Sequence, residues 1–505
     1  MIRRSSYVSS VTATSSEKET KMKDEKDVQA PVESKSDPYE HTLSLRSRCY
    51  IVGLVIFMSF GPEYSGSING SLKSTLKSKL DINNSQFGVI SSASDLINTI
   101  LPIVGGFLVD QFGICSSTTA CMLFILLGNI IDSIGATADH YQTFVGGRIV
   151  FGIGQSVLET AQRKLYYQMF PNRGLALVYA IDLGFVRICN ILGKVTALPI
   201  ANARGYAMTY WMSAVFTALS LIANLIVVFF MSKRNRIDRK VIFDKDTTKI
   251  HRILMTLPSG FFLFAVSWIF QPSVFSTFNK IVADLVKVHY NVSAEQGGYY
   301  SALTQVIPVL MTPLGGVFVD LYGRKPQFVP AAAGLYIIVY ALIAKTSVHP
   351  ILPLILSSIA FSLSTISLLA SIPLIIHNDK YLGLALGIWK SFINCGDVIM
   401  SVVVGRVQDI TPNESYVNVI WIFMGVKAWA VVLGVLYIIV DRVYCMKIFD
   451  RSVNSRIKLE ADLGCSIFVA SRLSWVNRYV NCLCVFFYGA LVIAAWVTFF
   501  YFYKN

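Results

Sequence analysis

Apolar runs long enough to cross a lipid bilayer recur along most of this 505-residue chain. Each run contains about 20 residues, and because a helix rises about 1.5 Å per residue, each can span the hydrocarbon core of a membrane. The chain as a whole is 54% hydrophobic and only 15% charged, which is outside the range of soluble globular proteins. The sequence therefore predicts an all-α membrane protein in contact with the lipid bilayer.

Twelve of these runs form two sets of six, and we number the predicted helices crossings 1 to 12. The first set lies near residues 49–70, 86–109, 116–137, 142–168, 175–199 and 208–231. The second set lies near residues 257–278, 298–319, 328–345, 351–375, 382–404 and 416–440. A thirteenth run, Cys482 to Tyr503, predicts an extra transmembrane helix. Because this run is rich in aromatic residues, a helix lying in the membrane interface is the alternative.

The polar stretches divide the chain into six predicted segments. These are a disordered cytosolic tail (1–45), an N-terminal six-helix bundle (46–231), a basic cytosolic linker (232–256), a C-terminal six-helix bundle (257–440), a cytosolic polar segment (441–479) and the extra helix (480–505). Eight basic residues against three acidic ones place the linker, and with it the N-terminus, in the cytosol by the positive-inside rule. Three glycosylation sequons, at Asn83, Asn291 and Asn413, then fall on the opposite side of the membrane.

The formal net charge of +14 does not indicate a nucleic-acid partner, because membrane proteins concentrate Lys and Arg in their cytosolic loops. The sequence also contains no metal-ligand spacing, phosphate-binding glycine loop or nucleophile-base arrangement. We therefore predict no metal, no cofactor and no enzymatic activity.

Two glycine-rich turns indicate an internal repeat. GGFLVDQFG occupies residues 105–113 and GGVFVDLYGRK occupies residues 315–325, and the matched residues are Gly106, Asp110 and Gly113 in the first copy and Gly316, Asp320 and Gly323 in the second. We expect the paired glycines to let two helices approach closely and the last glycine to form the turn. A repeat separated by half of the membrane-embedded chain is typical of transporters built from duplicated bundles.

The second turn resembles the signature loop of the major facilitator superfamily, G-x-x-x-D-x-x-G-R-K, which it completes with Arg324 and Lys325. The first turn departs from this pattern, because Ile114 and Cys115 stand at the basic positions. RIVFGIG at residues 148–154 also resembles the R-x-x-x-G-x-G element of proton-linked members. The resemblance implies a major facilitator fold, in which two six-helix bundles rock about a central site.

Three segments resemble the lysosomal dipeptide transporter branch of that superfamily. They are GRIVFGIGQSVLETAQ in crossing 4, LGFVRICNILG in crossing 5 and residues 279–325. The resemblance covers about residues 49–440. It implies a dipeptide solute, a vacuolar, lysosomal or other endomembrane location, and an accessory membrane glycoprotein as a partner. It also implies that Arg187 holds the peptide carboxylate, whereas the branch's glutamate of crossing 4 falls on Ser156, one turn before Glu159.

Ionised side chains inside a membrane-spanning helix cost about 2.5–3.5 kcal/mol each, so each needs a reason. Helical spacing places charges on one face of crossings 4, 5 and 11, and we predict that these faces share one cavity. The predicted solute-binding residues are Glu159, Arg187, Lys194, Lys390 and Asp397. The candidates for proton coupling are Arg148, Glu63 and Asp95.

Some of these assignments have alternatives. Glu159 and Arg187 suit a zwitterionic solute, but they could instead pair with each other in packing. Asp182 falls on a different face of crossing 5, and we expect Asp132 to reach the membrane interface rather than the protein interior.

The sequence thus predicts a secondary transporter for a small zwitterionic or charged organic solute, with a dipeptide as the first candidate. The excess of basic residues in the predicted cavity leaves an organic anion porter as an alternative. A non-transporting membrane sensor or scaffold is a further alternative, which the incomplete first turn favours. Either proton-coupled or facilitated flux is compatible with the sequence.

Overall fold

A computed structural model describes residues 45–170, 175–234, 257–346, 348–369, 371–376, 379–463 and 476–504 of the chain. The predicted tail up to residue 44 and most of the predicted linker lie outside the described residues.

The N-terminal bundle contains crossings 1 to 6, of which crossings 1 and 2 are each broken into two helices. These crossings are Leu45–Phe57 with Phe60–Ser71, Asn84–Ile97 with Leu101–Phe112, Ile114–Thr137, Tyr141–Met169, Leu175–Arg204 and Tyr206–Arg234. A short helix, Lys73–Leu80, follows crossing 1.

The C-terminal bundle repeats this plan with crossings 7 to 12, and crossing 7 is broken in the same way as crossing 1. These crossings are Ser259–Ser267 with Phe270–Tyr290, Ala294–Tyr322, Lys325–Lys345, Ile351–Leu369 with Ile372–Ile375, Asp379–Ile410 and Val417–Val443. Pro412–Glu414 forms a 3₁₀ turn, and Val453–Leu463 is a helix that follows crossing 12.

Crossing 13 is the helix Arg478–Lys504. Eleven of the described helical segments, crossing 13 among them, are long and apolar enough to cross a membrane. Crossing 4 has a comparable length of 29 residues but carries charged side chains, and crossing 10 begins with a helix of 19 residues. The structure therefore confirms the predicted fold class.

The bundles have two ends, which we name from the sequence. The sequon face carries Asn83, Asn291 and Asn413, which lie at the turns after the Lys73–Leu80 helix, crossing 7 and crossing 11. The linker face carries the ends of crossings 6 and 7 that flank the predicted linker.

Buried apolar side chains hold each bundle together. One cluster lies in the C-terminal bundle among crossings 7, 9, 10, 11 and 12 and includes Phe278, Tyr340 and Phe423. A second cluster fills the N-terminal bundle and extends to Val398 of crossing 11 and Phe499 of crossing 13. The apolar packing therefore continues from one bundle to the other.

Crossing 13 runs the full distance between the two faces. Near the linker face, the Asn481 amide donates to the carbonyl of Leu257, 2.9 Å away. Near the sequon face, the ring of Tyr503 packs against Tyr141 at the start of crossing 4. A helix lying flat in the membrane interface could not make both contacts, so the interfacial alternative is wrong.

The second glycine-rich turn docks on the segment that follows crossing 12. Gly323 has a φ of +75°, and a side chain there would collide with the backbone of Asp450 and Arg451. The backbone N–H of Arg324 donates to the carbonyl of Asp450 at 3.0 Å. Lys325 begins crossing 9, and its carbonyl accepts a hydrogen bond from Ser367 at 2.5 Å. Gly113 forms the first turn with a φ of +79°.

One expectation for these turns is wrong. A Cβ atom placed on Gly316 would meet nothing within 4 Å, so this glycine does not mediate a close helix approach in this conformation. A side chain at this position would therefore meet open space rather than a neighbouring helix. Gly106, Asp110 and Asp320 lie within helices, but the surroundings of these three residues lie outside the described part of the structure.

Candidate functional site

A polar cavity lies between the two bundles and has two lobes. The inner lobe, of about 320 Å³, lies toward the sequon face, and the outer lobe, of about 390 Å³, lies toward the linker face. Both lobes are lined by Arg187, Asn190, Ser276 and Asp397, so they meet near the middle of the membrane. The cavity thus brings together side chains from crossings 1, 2, 4, 5, 7, 10 and 11.

Glu159 lies in the outer lobe and joins the two bundles. Its Oε1 is 2.5 Å from Arg163, one turn further along crossing 4, and its Oε2 is 3.3 Å from Lys390 of crossing 11. The three side chains keep exposures of 39%, 41% and 45%, so each presents part of its surface to the outer lobe. Both oxygens of this carboxylate are therefore already matched by cations.

Arg187 lies where the two lobes meet. Its guanidinium donates to the side-chain carbonyl of Gln305 at 3.2 Å and lies 4.7 Å from the ring centroid of Phe361. The ion pairs of Glu159 go to Arg163 and Lys390, so the structure does not show the packing pair between Glu159 and Arg187 that the sequence left open. Arg187 instead presents a cation to the cavity with neutral partners on the protein side.

Lys194 lies two turns further along crossing 5, in the inner lobe. Its ammonium donates to Asn279 at 2.5 Å, to the carbonyl of Ser301 at 3.3 Å and to Thr304 at 3.4 Å. These acceptors are neutral and belong to crossings 7 and 8. Lys194 therefore ties crossing 5 to the opposite bundle and adds a second cation to the cavity wall.

Asp95 and Asp397 line the cavity together with a residue that the sequence reasoning missed. Lys280 of crossing 7 pairs with Asp95 at 2.7 Å, and both it and Asp397 line the inner lobe. The prediction missed Lys280 because the apolar run of crossing 7 ended at residue 278, whereas the helix continues to Tyr290. The helical spacing of Lys280, Asp284 and Lys287 was the available signal.

Two further acids line the outer lobe. Glu63 of crossing 1 accepts a hydrogen bond from the Asn190 amide at 3.3 Å. Asp182 also faces the outer lobe, where it accepts a hydrogen bond from Tyr166 at 2.9 Å. The expectation that Asp182 points away from the cavity is therefore wrong, because the cavity wall wraps around more than one face of crossing 5.

Arg148 lies outside both lobes, within the N-terminal bundle. It is 2% exposed and lies 2.9 Å from the carboxylate of Asp132 in crossing 3. It also donates to Ser65 at 3.3 Å and to Asn69 at 3.2 Å, both in crossing 1. Asp132 is 1% exposed, so the expectation that it reaches the membrane interface is wrong: the buried guanidinium holds it in the interior.

Polar contacts between the bundles close the sequon face. The Lys73 ammonium lies 3.3 Å from Asp284 and donates to Gln408 and Tyr416, both at 2.7 Å. Burial lowers the pKa of Lys73, and the Asp284 carboxylate opposes that lowering. Asp409 accepts four hydrogen bonds of 2.5–2.9 Å from the backbone and side chains of Asn84 and Ser85.

An outer pair completes this closure. The Lys77 ammonium lies 2.5 Å from Glu414, and its hydrogen bond lowers the pKa of that carboxyl from its ordinary value of 4.5. The Glu414 side chain is 55% exposed, so this pair lies at the rim of the closure.

The described residues contain no group of three or more His, Cys, Asp or Glu side chains placed to hold a metal ion. These residues instead form a charged central cavity between the two bundles, with polar contacts across its sequon face.

The chain is similar to known transporters. It is 24% identical to the lysosomal dipeptide transporter MFSD1 of Danio rerio, over 72% of this chain and 82% of that protein. It is 24% identical to the MFSD1 protein of Homo sapiens, over 79% of this chain and 87% of that protein. It is also 25% identical to a probable sulfoacetate transporter, SauU, of Cupriavidus necator, over 73% of this chain and 89% of that protein.

Solved structures and a family model agree on the fold. A D-xylose-proton symporter superposes with a TM-score of 0.60 at 15% identity, over 78% of this chain and 97% of that one. The nucleoside transporter NupG superposes with a TM-score of 0.56 at 14% identity, over 78% and 99%. The model described as Major Facilitator Superfamily matches residues 50–282 and again residues 256–505. The chain is therefore a multi-pass membrane transporter that belongs to the major facilitator superfamily.

Proposed function

We propose that this transporter moves dipeptides across an endomembrane by alternating access. The relatives at 24% identity that are named lysosomal dipeptide transporters support both the solute and the location. The basic linker and the three sequons support an orientation with the linker face in the cytosol and the sequon face in the lumen.

The observation that carries the proposal is the position of Arg187. Its guanidinium lines both lobes of the cavity, and its described partners are the neutral side chains of Gln305 and Phe361. A guanidinium can hold a carboxylate through two parallel hydrogen bonds, which are stronger than neutral ones. A peptide carboxylate at Arg187 would leave the rest of the solute free to extend into either lobe.

The contacts between the bundles determine from which face of the membrane the cavity is accessible. With the sequon face closed by Lys73, Asp284 and Asp409, a solute enters or leaves through the outer lobe. Rocking to the opposite state requires these contacts to break, while the outer lobe narrows around Glu159 and Lys390. A solute bound at Arg187, in a cavity whose walls come from both bundles, stabilises the intermediate in which both faces are closed.

Replacing Arg187 tests the proposal. In proteoliposomes, Arg187→Ala should reduce dialanine uptake by about 10- to 100-fold, because a charge-assisted hydrogen bond contributes about 1.5–3 kcal/mol. Arg187→Lys, which keeps the charge but not the paired donors, should give an intermediate rate. Uptake is compared at equal amounts of reconstituted protein, and a wild-type rate for Arg187→Ala would contradict the proposal.

An organic anion is the second candidate, and two observations favour it. Lys194 adds a second cation beside Arg187, and one relative is named a probable sulfoacetate transporter. Competition in the same assay separates the two candidates. If unlabelled dialanine inhibits uptake of labelled dialanine and simple carboxylates or sulfonates do not, the result supports the dipeptide. If the carboxylates or sulfonates inhibit and dialanine does not, the result supports the anion.

A further inference from the structure

Crossing 4 supplies no carboxylate that is free to bind the amine of a dipeptide. Ser156, at the position of the branch's glutamate, is a neutral side chain in the outer lobe. Glu159, the nearest acid along crossing 4, lies between Arg163 and Lys390, with one oxygen against each. An incoming ammonium would have to displace a cation that is already paired.

Glu63 is placed differently. It lies in the outer lobe on crossing 1 and is partly exposed there. Its described hydrogen bond comes from a neutral donor, the Asn190 amide, at 3.3 Å. A carboxylate in a membrane-embedded cavity with a neutral protein partner can gain most from a cationic solute group.

Asn190 also fixes where Glu63 lies relative to Arg187. Asn190 follows Arg187 by three residues on crossing 5, so the two side chains share one face of that helix. The hydrogen bond from Asn190 therefore holds Glu63 about one turn from the guanidinium. The cavity thus offers an anion and a cation at the short separation that the two ends of a small zwitterion require.

The other acids of the cavity are less available. Asp95 pairs with Lys280 at 2.7 Å. Asp397 is 7% exposed, so a solute reaches it less readily than Glu63, although its buried Oδ1 has no described hydrogen-bond partner. Asp182 lies nearer the linker face and accepts a hydrogen bond from Tyr166.

We propose that the Glu63 carboxylate binds the ammonium group of the solute. A free amino group is then required for efficient transport. This inference rests on the proposed dipeptide function and adds its amine-binding residue. Glu159 then acts as a bridge between the bundles, through Lys390, rather than as a ligand of the solute.

The test compares two solutes that differ only in the amino group, dialanine and N-propionyl-alanine. Wild-type protein in proteoliposomes should transport dialanine at least about tenfold more efficiently, as expected for one charge-assisted hydrogen bond. Glu63→Gln should reduce this ratio to about twofold or less, mainly through slower dialanine uptake. Glu63→Asp, which keeps a carboxylate, should restore much of the ratio.

Glu159→Gln is the matched control, because it neutralises an acid of the same lobe. Its absolute rate should fall, but its preference for dialanine should stay at the wild-type ratio. Thermal stabilisation of the purified variants by each solute compares the binding of dialanine and N-propionyl-alanine without transport. This measurement therefore tests the role of Glu63 even if a variant is inactive.

The assignment of Glu63 would be overturned if Glu63→Gln kept the wild-type preference for dialanine over N-propionyl-alanine, or if Glu159→Gln lost it. Either result would leave the proposed function in place. Wild-type protein that neither transports nor is stabilised by dialanine would overturn the proposed function, and this inference with it.

Discussion

Eight ionised residues inside the membrane fall into three groups according to their partners. Arg148 and Asp132 neutralise each other within one bundle. Glu159 with Lys390, and Asp95 with Lys280, connect opposite bundles across the cavity. Arg187 and Glu63 face the cavity, and the described hydrogen bonds of both are to neutral side chains. A charge in a spanning helix thus marks packing, coupling or solute binding, depending on what it meets.

The pair of Arg148 and Asp132 should contribute mainly to stability. Asp132→Asn leaves a buried guanidinium without its counter-charge, which should destabilise the protein by about 3–5 kcal/mol. Asp81→Asn is the control, because Asp81 is exposed at the end of a short helix and should change stability by less than about 0.5 kcal/mol. Thermal unfolding of detergent-purified protein measures both.

The double variant Asp132→Asn with Arg148→Met lacks both charges, so it should recover part of the stability that Asp132→Asn loses. Equal unfolding temperatures for Asp132→Asn and Asp81→Asn would show that the pair is not a structural contact.

Sequence periodicity identified the charged faces of crossings 4, 5 and 11 but not the neighbours of each residue. Glu159, Arg187 and Lys390 line one cavity, as the spacing suggested. Arg148, on the same face of crossing 4 as Glu159, instead lies against crossings 1 and 3. Three turns of helix separate the two residues, and the neighbouring helices change over that distance. Only the tertiary arrangement supplies this information.

Among the helices, crossing 13 is the transmembrane segment that belongs to neither six-helix bundle. Near the linker face it contacts the C-terminal bundle through Asn481. From its middle toward the sequon face it contacts the N-terminal bundle, where Tyr488 and Trp496 donate to Thr99 at the break in crossing 2. Rocking of the bundles has to shear one of these sets of contacts, so crossing 13 resists the motion.

The Asn481 contacts should hold the linker-face end of crossing 13. Asn481 is fully buried; it accepts from the Ser259 hydroxyl at 2.7 Å and donates to the carbonyl of Leu257 at 2.9 Å. Asn481→Ala removes both of these buried hydrogen bonds, at a cost of about 1–3 kcal/mol. Hydrogen–deuterium exchange should therefore accelerate at the start of crossing 13.

Tyr479→Ala provides the comparison for that measurement, because Tyr479 is two residues away and 88% exposed. It should leave exchange in crossing 13 unchanged. If both variants exchange at the same rate, the helix is held by its apolar packing alone.

The sequence predicted the existence of all thirteen crossings, because a run of about 20 apolar residues has few other stable arrangements. It placed the ends of the charged crossings less well. Crossing 7 continues 12 residues beyond its predicted end at residue 278, to Tyr290, and crossing 11 continues from residue 404 to Ile410. These extensions are polar because they face the cavity and the closure rather than lipid, and hydropathy does not detect such segments.

For the whole molecule, the alternation between faces depends on how firmly the sequon face is closed. The closure contains an interior part, around Lys73, Asp284 and Asp409, and the exposed pair of Lys77 and Glu414 at its rim. An exposed ion pair contributes at most about 1 kcal/mol. The four hydrogen bonds to Asp409 involve two backbone N–H groups at the start of crossing 2, where a carboxylate is most favourable.

Asp409→Ala should therefore open the sequon face far more than Glu414→Gln. A cysteine introduced at Ser91, which lines the inner lobe, reports opening through its reaction with a membrane-impermeant maleimide applied to the sequon face. Loss of bonds contributing about 1 kcal/mol each should raise the labelling rate at least about tenfold in Asp409→Ala. Glu414→Gln should raise it less than about fivefold. Peptide mass spectrometry quantifies the label at residue 91, and equal rates in the two variants would place the closure at the rim rather than in the interior.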